Sequence, residues 1–152
     1  MEILREFSNR FNKKDDLKKA SESDIQKLES EFGITLPKDY KTFIAEFGNI
    51  STPDILFIIV DKKIELNDVQ DFWDIESITY DKKNEWTSQI STDLIPFASD
   101  SMGNIFGFLS TDLTTENETI SVYFFDHDFD TVEKISDSFT EWINEFNIID
   151  EL

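Results

Sequence analysis

The chain has no cysteine, which excludes a disulfide framework, a thiolate metal centre and a cysteine nucleophile. Glycine and proline are scarce too, at four and three residues, so there is little material for a glycine-rich phosphate cradle. None of the patterns G-x-x-x-x-G-K, G-x-G-x-x-G, H-E-x-x-H or G-x-S-x-G occurs. Cations are outnumbered: 14 Lys and Arg face 33 Asp and Glu, for a formal charge of -19. Such a field repels phosphate backbones and anionic bilayers, which argues against direct nucleic-acid or membrane binding and favours a cationic partner. No apolar run approaches the roughly 18 residues of a membrane span. Glu2, Arg5 and Glu6 interrupt the N-terminus where a secretory leader needs an apolar core, so a cytoplasmic location is expected.

What the chain does have is aromatic mass, with fifteen Phe, three Trp and three Tyr. Disordered acidic segments lack that apolar content, so the composition describes a folded body with a negative exterior. Its 152 residues fit one domain, 1–152, able to bury roughly 70% of the unfolded chain's surface.

Periodicity divides the chain. Ile3, Leu4, Phe7 and Phe11 recur at helical spacing, and KKDDLKK then reads as a solvated turn. Ser23 followed by Gln26 has capping-box spacing, opening a helix with Ile25, Leu28 and Phe32 on one stripe until Gly33 closes it. Pro37 suits a first helical turn, followed by Tyr40, Phe43, Ile44 and Phe47 at i, i+3, i+4 and i+7. The continuous run Ile55 to Val60 predicts a strand at the centre of a sheet, and Ile64 to Leu66 a second one. Asp74 is the expected cap of a helix through Ile75, Ile78, Lys82 and Trp86. Strands are expected in DLIPFASD, in IFGFL with a bulge or close approach at Gly107, and in ISVYFFD, with a turn at Met102–Asn104 and a loop through TTENET. A last helix, capped by Ser136, carries Phe139, Trp142, Ile143 and Phe146. Helices first, strands gathered in the middle and a helix last predict an α+β fold: a largely antiparallel central sheet packed by N-terminal helices and a C-terminal helix.

Catalysis finds no foothold. His127 is the only histidine, and its neighbours Asp126 and Asp128 point different ways along an extended backbone, which suits a surface group better than a triad. Asp126, Asp128, Asp130 and Asp137 echo the spacing of a calcium loop, but Thr131 stands where the tight turn needs Gly and Asp137 where Glu is needed. The plainer reading is an acidic strand-to-helix loop. With so many carboxylates, pairs at glycosidase-like spacing arise by chance. No metal and no cofactor is expected. Phe7, Phe32, Phe43, Phe47, Phe139 and Phe146 fall on inward faces; Trp73, Trp86 and Tyr123 do not place so readily and are candidates for exposed anchors.

The segment IQKLESEFGITLPKDYKTFIAEFGN resembles the signature of the SUKH superfamily, the Smi/Knr-type domains. Leu28-Glu29, Gly33, Leu36-Pro37, Asp39-Tyr40 and Phe43 to Asn49 stand at the signature positions. IPFASDSMGNIFGF resembles the family's strand, acidic turn and strand, and SVYFFDHD with SDSFTEWINEF its closing strand and helix. The likeness runs from Ser21 to Phe146. It implies a non-enzymatic α+β domain, and for most bacterial members an immunity protein that neutralises a polymorphic toxin, often a nuclease or nucleic-acid deaminase. A nuclease toxin has a cationic cleft, in which an anionic inhibitor can stand where phosphates would. The expected contact set is Asp100, Asp126, Asp128 and Asp130, with Trp86 and Tyr123 as anchors. The alternative is a regulatory interaction module that binds a resident cellular partner.

Overall fold

Caps, a glycine and two prolines divide the first half of the chain into helices. The computed structural model describes residues 1–84, 93–114 and 119–149. Helix α1 (Glu2–Phe11) buries Leu4, Phe7 and Phe11, the spacing read from sequence. Helix α2 (Glu22–Phe32) opens two residues earlier than the sequence suggests. Ser21 is its cap, with Ser21 Oγ accepting from Asp24 N at 3.1 Å and Asp24 Oδ2 accepting from Ser21 N at 3.3 Å. The earlier frame sets Glu22 and Asp24 in the first turn, where the helix dipole favours anions. Gly33 closes α2 in the left-handed region, φ 63°.

The corner between α2 and helix α3 (Lys38–Glu46) is held by Glu29. Its Oε2 accepts from Leu36 N at 2.7 Å and meets Lys41 Nζ at 3.3 Å. Asp39 Oδ2 accepts from Thr140 N and Oγ1, at 3.0 and 2.7 Å, and so joins α3 to the last helix. Tyr40 is fully buried, its ring centroid 5.2–5.3 Å from those of Phe97, Phe108 and Phe139. The signature residues Glu29, Asp39 and Tyr40 are thus architectural.

The run Ile55 to Val60 is helix α4 (Asp54–Lys62), a correction to the expected central strand. Pro53 and Asp54 start it, and burial follows the helical period: Ile55 and Ile59 are inside, while Phe57 and Val60 are exposed. Four β-branched residues raise strand propensity, but propensity yields to packing. Residues 64–66 form no strand; the chain leaves α4 through Lys63 at φ 55° and pairs later, in β1 (Asp71–Phe72). Helix α5 (Ile75–Asn84) is capped as expected, Asp74 Oδ1 accepting from Ser77 N at 2.7 Å.

Strands β2 (Leu94–Ser99), β3 (Ile105–Leu109) and β4 (Val122–Asp126) are the expected ones, and residues 115–118 of TTENET lie outside the described residues. A further strand, β5 (Thr131–Ser136), replaces the expected acidic strand-to-helix loop. The sheet is antiparallel throughout, in the order β1-β2-β3-β4-β5. β5 is an edge strand, mostly exposed, so it carries no apolar alternation to read. Its presence moves the final cap: Ser138 Oγ, not Ser136, accepts from Glu141 N at 3.1 Å and opens helix α6 (Phe139–Asn147). Opposite a register shift between Pro96 and Ala98, Gly107 lies so near β2 that a Cβ there would stand 2.5 Å from Ile95 O.

One face of the sheet packs on α1, α3 and α6. Trp142 of α6 lies 4.9 Å from Phe106 and 5.6 Å from Phe97, ring to ring, within an aromatic core that includes Phe7, Phe43, Phe72, Phe139 and Phe146. Phe32 is only partly buried against it.

Candidate partner-binding surface

At one end of the sheet the β2–β3 and β4–β5 turns lie side by side. The first is built on Asp100, which is 9% exposed. Its Oδ1 accepts from Met102 N and Asn104 N, both at 2.8 Å, and its Oδ2 from Asn104 Nδ2 at 2.9 Å. Asn104 Oδ1 in turn accepts from His127 N at 3.1 Å, which joins the first turn to the second. Asp68 Oδ2 accepts from Ser101 N at 3.2 Å and adds the loop after α4 to the same corner.

The second turn carries the acids outward. Asp126 faces Thr131 in the last ladder pair, its Oδ1 accepts from Asp128 N at 2.9 Å, and Asp130 takes a left-handed φ of 53° to reverse the chain. Asp128 and Asp130 are exposed and Asp126 is partly so. The His127 ring lies against the first turn, with Nε2 2.7 Å from Met102 O; a carbonyl accepts, so Nε2 holds the proton. Nδ1 is 3.4 Å from Asp128 Oδ1. The bond to Met102 O raises the His127 pKa above its ordinary value; Asp128, Asp126 and Asp100 push the same way, while burial opposes.

The expected contact set is therefore only partly assembled. Asp126, Asp128 and Asp130 share one turn. Asp100 sits behind it, with its carboxylate turned to backbone and Asn104 donors rather than to solvent. That placement makes Asp100 the turn's support. Tyr123 is half-buried three residues back along β4, opposite Lys134, about 10 Å from the turn at strand rise. Trp86 lies outside the described residues. Trp73 is partly buried, its Nε1 donating to Ser99 Oγ at 3.3 Å.

Sequence reasoning passed over Phe129. It is 76% exposed at the tip of the acidic turn, and Met102, 69% exposed, projects from the neighbouring one. The signal was present: a Phe inside HDFD has no periodic apolar neighbours to join in a core.

A depression of ≈ 530 Å³ lies between α2, α5 and the loop before α2, and an adjoining one of ≈ 640 Å³ between that loop, β1 and α5. Lysines and carboxylates are mixed there, and Lys18–Asp74 (3.7 Å) and Lys83–Glu31 (2.9 Å) pair within the first of them. Among the described residues, no group of three or more His, Asp or Glu is placed to hold a metal ion. The six-residue strand β5 carries Asp137 away from Asp126, Asp128 and Asp130, so the calcium-loop spacing does not become a cage. No helix among those residues is long and apolar enough to cross a membrane.

The profile of the SMI1 / KNR4 family (SUKH-1) matches residues 19–145. No curated protein matches the chain.

Proposed function

The chain belongs to the SMI1 / KNR4 family (SUKH-1), and from that membership we propose that it is a non-catalytic immunity protein that binds and neutralises a cognate toxin. The family includes immunity proteins and its members typically bind a partner protein. The finer reading is that the β4–β5 turn enters a cationic, nuclease-type cleft of the toxin, its carboxylates standing where substrate phosphates would.

The observation that carries this reading is Phe129, an exposed ring between Asp128 and Asp130 on a turn fixed by the Asp100–Asn104–His127 network. Large apolar side chains at the centre of a contact supply most of its affinity, and surrounding charges govern encounter and register. A preformed turn loses little freedom on binding. Carboxylates alone would be a solvated face; a ring among them, with Met102 beside it, supports a docking surface.

The test is inhibition of a candidate toxin, a nuclease if one is encoded beside this chain's gene. Stoichiometric inhibition by the purified protein is expected, and Phe129→Ala should weaken binding by about 2 kcal/mol or more while leaving the thermal midpoint unchanged. Wild-type affinity in Phe129→Ala would remove the turn from the interface.

A further inference from the structure

The two edges of the sheet end differently. Along β1 the chain covers its own edge: Thr52 N donates to Gln70 O at 2.6 Å, Phe72 N donates to Ile50 O at 3.0 Å, and Ser51 bridges Asp71. Along β5 nothing comparable occurs. Among the described residues, no backbone hydrogen bond reaches Thr131–Ser136 from outside the β4 ladder. Thr131, Val132, Glu133 and Lys134 are all exposed. Successive residues of a strand face opposite sides, so four exposed in a row leave both faces of this stretch uncovered. Every second residue of such an edge turns its N–H and C=O outward, where another strand can pair with them.

The side chains along this edge differ by face. Glu133 stands opposite Phe124, whose ring lies 5.1 Å from that of Phe106, on the side of the helices. Val132 and Lys134 stand opposite Phe125 and Tyr123 on the other side, where Lys134 is held by Asp137 at 2.6 Å. A strand laid along β5 therefore meets a carboxylate on one face and Val132 on the other. A second copy of this chain is a poor occupant. Two-fold pairing within one sheet keeps each residue on its own face, so the two registers of greatest overlap set Glu133 opposite Glu133 or Lys134 opposite Lys134. Both copies would also carry a charge of -19. A cationic partner suits this half of the molecule: of the 14 Lys and Arg, only Lys82, Lys83 and Lys134 lie in residues 64–152, which supply the whole sheet and α6.

We propose that β5 is an acceptor edge for an extended segment of a protein partner, which adds to the sheet as a sixth strand, its cationic residues toward Glu133 alternating with apolar residues toward Val132. Main-chain hydrogen bonds supply the affinity of such an addition, and the alternation of side chains supplies its selectivity. The register shift between Val122 and Tyr123 bends the far end of β5, which leaves Thr131–Lys134 as the regular stretch for pairing. That stretch begins where the acidic turn ends, at Asp130. The identity of the partner as a toxin rests on the function proposed above; the open edge does not.

The experiment uses the protein alone. The acetylated, amidated hexapeptide Lys-Val-Lys-Val-Lys-Val is titrated into ¹⁵N-labelled protein, with its fully N-methylated form as control; the control keeps the charge and loses every main-chain donor. Saturable shifts centred on residues 131–134 are expected, with the N-methylated peptide about tenfold weaker or more. Glu133→Lys should weaken the unmethylated peptide about threefold or more, and, because Glu133 is exposed, the fold should persist by circular dichroism. Equal binding of the two peptides, shifts centred elsewhere, a response without saturation, or an unchanged titration in folded Glu133→Lys would each overturn the proposal. A toxin then separates the two readings. If none is neutralised while the peptide pairs with β5, the immunity reading falls and the open edge stands. If one is neutralised while the amides of residues 131–134 exchange as fast in its complex as in the free chain, the edge falls.

Discussion

At the scale of single residues, His127 shows how a side chain can report on a turn. Its Nε2–H bond to Met102 O joins the two acidic turns, and it favours the protonated ring, so the folded-state pKa lies above the ordinary value of about 6.5. The stabilisation from this group is fully present below that ordinary value and is lost as pH rises through the higher folded value. An NMR titration of the single imidazole should accordingly give a midpoint above 6.5; a midpoint at or below it would mean that the ring is not held to Met102. Part of this was legible, because Asp126 and Asp128 flank His127 in sequence. The larger cause was not, since Met102 is 25 positions away and only β3–β4 pairing brings it near. Phe129 was missed for a related reason: its meaning depends on what does not cover it.

At the scale of elements, short apolar runs are where periodicity fails. Ile55 to Val60 is apolar at every position, so it carries neither period, and β-branching inclined the reading toward a strand. The two assignments make opposite statements about three residues. A strand sets Ile55, Phe57 and Ile59 on one face, whereas α4 buries Ile55 and Ile59 and leaves Phe57 70% exposed. Urea denaturation should therefore show Ile55→Ala losing about 2–5 kcal/mol and Phe57→Ala less than about 0.5. Comparable losses at both positions would refute the helix. β5 failed for the opposite reason: TVEKIS is nearly all polar, and its place comes from backbone pairing with β4 rather than from burial. Helices α1, α2, α3 and α6 were readable because each carries a one-sided stripe over nine or more residues, and misreading a cap moves only the helix start.

At the scale of the whole molecule, a charge of -19 acts on any cationic partner before contact, and position matters as well as total. On the proposed function, reversing Asp126, Asp128 and Asp130 to Lys should slow association with the toxin partner far more than the same change at Asp15, Asp16 and Glu22, which leaves the total charge equal. Rising salt should narrow the gap, because screening shortens the reach of both sets. Stopped-flow association rates measure this; equal slowing by the two triplets would make the acidic exterior a matter of solubility alone. The amino-acid sequence by itself determined the α+β class, the antiparallel sheet, the aromatic core and the family, because those follow from apolar periodicity and from signature residues such as Glu29, Asp39 and Tyr40 that brace the fold. Only the tertiary structure decided which carboxylates face outward, that Asp100 is turned to the backbone of its own turn and to Asn104, and that Asn104 ties this turn to His127. Exposure and proximity across a sheet are properties of the closed chain, and a run of charged residues reads the same whether it reaches solvent or anchors a turn.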